Sequence, residues 1–239
     1  MTHVLVQHNE EWFTHTRFEL RSNKTNQTWL IFEGATYDWV LGRAPYIVQW
    51  PDENARLLYA FFGQGDGCRF IRNFDNLTSF SVQTGKVYNF NPADMGDLAI
   101  SPNNEFLAFS PFYSYIDEAK NFYFSVLSIQ DQSVQTVQVD ISGVSRLADF
   151  VWASDSSSFV FVADSDECVN DSARAIFQVE FPQLEVNMLR DFEERLLIPI
   201  ELWEDGLVLQ EEYYDDNDLP AAQIWLMNLT TGEFSPLQD

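Results

Sequence analysis

The 239 residues carry 37 acidic and 13 basic side chains, a formal net charge of −24, with a pI near 4.1. That balance argues against a nucleic-acid binder, which needs a basic surface to neutralise phosphates, and against docking on anionic membranes through a polybasic patch. Apolar residues make up 46% of the chain and aromatics 15%, which separates it from disordered acidic tails and supplies a core of ordinary size.

The charge is uneven. Residues 1–120 hold 9 basic and 14 acidic groups, a net of −5, whereas residues 121–239 hold 4 and 23, a net of −19. A field of one sign steers oppositely charged partners. The opening stretch Met1–Glu11 lacks a basic region followed by an apolar run, and no run reaches 18 apolar residues, so no membrane segment and a cytoplasmic location are expected. Cys68 and Cys168 are too few for a disulfide framework, and free thiols are expected.

Taken in chain order, the elements read as short strands. His3–Gln7 is an alternating apolar run. Arg17–Phe32 reads as a hairpin turning at Lys24-Thr25. Four further segments then share one pattern, an apolar run, a tight polar turn and a second apolar run: Tyr46–Phe61, Leu98–Phe109, Phe150–Phe161 and Ile200–Leu209. The residues opening these turns are Trp50, Ile100, Trp152 and either Leu202 or Trp203. A second set of turns follows in step, at Thr84-Gly85, Gln130-Asp131, Pro182-Gln183 and Thr231-Gly232.

Each repeat therefore contains four strands, A to D, and the expected fold class is all-β, a propeller of about five four-stranded blades. The expected blades span 1–40, 44–92, 96–140, 146–191 and 197–239 of a single domain, 1–239. The first lacks its inner strand, because only three strands fit before the second repeat. Ring closure around that blade stays open between packing of the three-stranded blade, a longer natural chain and strands from a partner. The aromatic load suits the space between stacked blades.

The turns Trp50-Pro51-Asp52-Glu53-Asn54, Ser101-Pro102-Asn103-Asn104-Glu105 and Trp152-Ala153-Ser154-Asp155-Ser156 resemble the Trp-Ser-Pro-Asp-Gly turn of TolB-type bacterial propellers, a WD-repeat-like class. Leu107-Ala108-Phe109 and the hairpin Ile224–Gly232 are similar to that pattern too. The resemblance covers residues 40–239 and implies a propeller with a binding role. It carries over no catalytic residue.

The B–C loops are long and acidic, and loops on one face of a rigid scaffold are where function concentrates. They offer Tyr113 and Tyr115, then Asp164, Asp166 and Glu167, then Tyr213, Tyr214, Asp215, Asp216 and Asp218 as candidate partner-binding residues. Tyrosine is a frequent interface anchor. The expected function is a non-enzymatic scaffold or regulatory subunit that docks a protein with a basic surface. The alternative is a small-ligand- or carbohydrate-binding propeller, or a hydrolase, that uses a central funnel. No cofactor and no catalytic residue are expected. The carboxylates Asp164, Asp166, Asp171, Asp215, Asp216 and Asp218 are hard oxygen ligands suited to a structural calcium, although neither loop has the helix–loop–helix pattern. His3, His8 and His15 form no zinc motif. There is no Gly-x-Ser-x-Gly elbow, and Gly63–Gly67 lacks the Lys-Ser/Thr of a phosphate loop.

Overall fold

A computed structural model describes residues 3–9, 14–36, 45–49, 56–62, 74–90, 95–111, 122–141, 144–165, 173–214 and 220–237. The described residues form 19 strands and no helix, so no helix among them is long and apolar enough to cross a membrane. The chain divides into two compact units, Met1–Gly65 with Arg72–Asp94, and Asp66–Ile71 with Met95–Asp239.

In the first unit, β1 (His3–Asn9), β2 (Thr14–Ser22) and β3 (Thr28–Thr36) form a three-stranded antiparallel meander. A four-stranded meander follows, β4 (Pro45–Gln49), β5 (Arg56–Phe62), β6 (Phe74–Ser81) and β7 (Val87–Asn89). The two sheets pack through Leu20, Leu57, Tyr59 and Phe80, flanked by Trp29 and Ile47.

The second unit holds three four-stranded meanders. These are β8 (Met95–Ile100) to β11 (Val134–Gln138) through β9 (Phe106–Pro111) and β10 (Tyr123–Ser128); β12 (Arg146–Trp152) to β15 (Glu185–Glu193) through β13 (Ser158–Asp164) and β14 (Arg174–Glu180); and β16 (Leu196–Leu202) to β19 (Phe234–Pro236) through β17 (Gly206–Tyr214) and β18 (Pro220–Asn228). The first strands β8, β12 and β16 lie beside one another, and Ala153 bridges Leu202 in parallel.

Strand β13 explains how one sheet serves two seams. Successive side chains point to opposite faces. Phe159 and Phe161 therefore enter one apolar cluster with Phe124, Phe150, Trp152 and Phe177, while Val160 and Val162 enter another with Leu197, Leu207 and Leu209. Every residue of β13 is buried, so both faces need apolar side chains.

The expected five-fold repeat is present in the backbone. The last turn of each sheet closes with the same geometry, starting at Ser22, Ser81, Ser128, Glu180 and Asn228. Four residues on, each takes a positive φ: Asn26 (55°), Gly85 (67°), Gln132 (65°), Leu184 (59°) and Gly232 (70°). The first strand of each four-stranded sheet also breaks register once, between Ile47 and Gln49, Met95 and Leu98, Ala148 and Val151, and Pro199 and Glu201. Such bulges add local twist and re-aim a side chain.

The first-turn marker is sharpened by pairing. Trp152 pairs with Phe159, Ile100 with Leu107 and Leu202 with Leu207, so Leu202 is the counterpart of Trp152. Trp152 is buried, and its indole N–H donates to the Ala99 carbonyl at 3.0 Å. Trp203 is 38% exposed and follows the strand end, so of the two candidates for the turn-opening place Leu202 takes it. Trp50 lies outside the described residues.

Candidate functional site

The acidic B–C loops lie largely outside the described residues. Tyr113, Tyr115, Asp166, Glu167, Asp171, Asp215, Asp216 and Asp218 are among those not described, as are Cys68 and Cys168. What the structure describes is the roots of these loops. Tyr213 is 43% exposed near the end of β17, where it pairs with Ala221, and Tyr214 ends the same strand opposite Pro220. Glu212, just before them, is exposed.

Asp164 is a correction. It was expected at a partner-facing loop and among calcium ligands, yet it is the last residue of β13 and fully buried at 0% exposure. Its carboxylate is held by two arginines in its own cross-strand row, Arg146 in β12 and Arg174 in β14. Arg146 approaches through Nη2 at 2.6 Å and Nε at 2.9 Å, and Arg174 through Nε at 2.8 Å and Nη2 at 3.3 Å. A carboxylate so engaged is neither a docking group nor a vacant metal ligand. Among the described residues no group of three or more His, Cys, Asp or Glu is arranged to hold a metal ion.

The network extends along the first strands. Arg174 Nη1 reaches Asp149 at 3.3 Å and donates to the Leu197 carbonyl at 3.1 Å. Asp149 sits at the bulge of β12 with φ 54°, and its backbone N–H donates to the Asp97 carboxylate at the bulge of β8. A left-handed backbone suits Asp better than most side chains. Burial pulls the Arg146 guanidinium towards neutrality, but the charge and hydrogen bonds of Asp164 outweigh it and hold Arg146 above the ordinary arginine value.

A second charged group lies between the last two sheets. Arg195 donates to Glu211 with Nε and Nη2, both at 2.8 Å, and the Trp225 indole N–H donates to the same carboxylate at 2.8 Å. The hydrogen bonds from Arg195, opposed by burial and aided by its charge and by Trp225, hold the Glu211 carboxyl below its usual value. The guanidiniums of Arg190 and Arg195 sit 4.8 and 5.0 Å from the Phe234 ring centre, a cation–π arrangement, and Arg190 pairs with Glu193 at 2.6 Å.

Sequence reasoning missed these arginines as a set, although a signal was present. Residues 121–239 contain four basic side chains, Arg146, Arg174, Arg190 and Arg195. All four are ion-paired within the chain. So few cations amid 23 carboxylates could have been read as structural partners.

No family model and no curated protein matches the chain. Solved structures do. The β-propeller domain of the Trilobed protease from Pyrococcus furiosus matches with a TM-score of 0.58 at 10% identity over 98% of this chain and 66% of that one. The fold is a β-propeller. Oligogalacturonate lyase from Vibrio parahaemolyticus matches this propeller with a TM-score of 0.57 at 12% identity, over 98% of this chain and 62% of the lyase. Tricorn protease matches it at 0.55 and 12% identity over 98% of this chain, which spans 25% of the protease. At these identities the likeness concerns the fold. The five sheets are then five blades: blade 1 is β1–β3, blade 2 β4–β7, blade 3 β8–β11, blade 4 β12–β15 and blade 5 β16–β19. Blade 1 has the three strands expected of it, and the bulged strands are the inner strands of blades 2 to 5. The acidic loops emerge where strand B ends and strand C begins, and in blade 4 the row Arg146–Asp164–Arg174 forms the root of such a loop.

Proposed function

We propose that this propeller is a non-enzymatic protein-interaction module, of the TolB-type repeat class, that docks a partner with a basic surface through the B–C loops of blades 3, 4 and 5. One observation carries the reading: each of the four arginines of residues 121–239 is ion-paired with a carboxylate of the chain, and 19 further carboxylates remain in excess there. The field of such an excess accelerates association with a cationic partner and sets orientation. Tyr213 supplies an exposed aromatic anchor beside it. The contact residues of this reading are Tyr213, Tyr214, Asp215, Asp216, Asp218, Asp166, Glu167, Tyr113 and Tyr115.

The test is capture from source-cell extract at low salt, followed by direct binding of the recovered protein to two variants. Reversal at Asp215, Asp216 and Asp218 to Lys lowers affinity at least tenfold on this reading, about 1.4 kcal/mol. Tyr213→Ser weakens binding with little change in salt dependence. Unchanged affinity in both variants refutes the docking face and favours the other reading, a ligand or substrate held in a central funnel.

A further inference from the structure

We infer that Arg174 is a coupling residue whose forked guanidinium makes blades 4 and 5 a single cooperative unit, to which the backbone of Asp149 joins blade 3. The apolar seams between these blades are extensive, but apolar burial is non-directional and does not by itself fix how one blade sits against the next. Directional ties do, among them the Trp152 indole bond to Ala99, the Ala153–Leu202 bridge and a polar path through Arg174. That path runs from the Asp97 carboxylate of blade 3 to the backbone N–H of Asp149 in blade 4, and from the Asp149 carboxylate to Arg174 Nη1 at 3.3 Å. The same Nη1 donates to the Leu197 carbonyl of blade 5 at 3.1 Å, while Nη2 donates to Asp164 at 3.3 Å and Nε lies 2.8 Å from the same carboxylate as an ion pair.

Two inner strands, β12 and β16, are thereby tied to one planar group that is 4% exposed, and β8 joins them through the backbone N–H of Asp149. A guanidinium suits this place because its donors are fixed in a plane and reach several acceptors at once, whereas a lysine ammonium is a point charge on a flexible stem. The cost of burying such groups is large, and a cluster of this kind is weak evidence for stability alone. Its geometry argues for register. The inference does not depend on the docking reading.

Arg174→Lys keeps a positive charge for Asp164 and removes the fork. The experiment is native-state amide exchange of the full chain across a denaturant series, compared with the same chain carrying Arg174→Lys. In the natural chain the slowest amides of β8, β12 and β16 are expected to exchange through one shared opening. In the variant, β16–β18 are expected to open separately and to exchange roughly tenfold faster than β12 and β13. The inference is overturned if the natural chain already opens blade by blade. It is equally overturned if the variant loses stability while β8, β12 and β16 keep a common opening. A triple variant, Arg146→Met, Asp164→Leu and Arg174→Met, covers the case in which the lysine variant does not fold: it removes every charge of the row, and separate openings are again expected.

Discussion

Gly85 and Gln132 occupy the same place in two turns, with φ of 67° and 65°, and only one of them is suited to it. A left-handed residue with a side chain costs about 1–2 kcal/mol, and glycine escapes this. A Cβ at Gly85 would meet no atom within 4 Å, so Gly85→Ala isolates the backbone cost. It is expected to destabilise by about 1 kcal/mol, while Gln132→Gly stabilises by about 0.5 kcal/mol after the added freedom of the unfolded chain is counted. Urea midpoints at constant slope measure both. Asp164→Asn is expected to cost about 3 kcal/mol, because two guanidiniums lose their shared charge partner. Asp164 was misread as a loop residue for a physical reason. The run Asp164-Ser165-Asp166-Glu167 has loop composition, and only the pairing with Arg146 and Arg174 extends the strand through its first member.

At the scale of elements, period-2 runs such as Phe159-Val160-Phe161-Val162 were legible because each face of a strand meets a different apolar seam. The turns were legible because polar residues and glycine mark them. The bulges of the inner strands were not, since a bulge is a mismatch of count between two strands and leaves no mark in either one alone. The Arg195–Glu211–Trp225 group between blades 4 and 5 was hidden likewise, its members being 14 to 16 residues apart or more along two strands and a turn. It predicts a pH dependence. The folded carboxyl of Glu211 titrates below its ordinary value of 4.5, so its stabilising effect is full above that value and is lost as pH falls through the folded pKa. The stability gap between the natural chain and Glu211→Gln should therefore be constant near neutrality and narrow as the pH drops below 4.5. Unfolding curves of the two proteins across that range check it.

For the whole molecule, the repeat count and the all-β class could be read from spacing, because a lone four-stranded blade cannot bury both faces and must recur. The candidate site was less legible. Composition shows an excess of acid but not which carboxylates are taken up in ion pairs, and here Arg146, Arg174, Arg190 and Arg195 are each paired within the chain. Electrostatic docking of this kind is screened by salt, with a Debye length of about 10 Å at 0.1 M. The measurement that tests it most directly is the affinity for the recovered partner as salt rises from about 0.05 to about 0.5 M, made with the natural chain and with the Asp215, Asp216 and Asp218 reversal. Docking through an acidic face predicts a steep fall for the natural chain and a shallow one for the variant. Equal, shallow dependence in both would contradict the account.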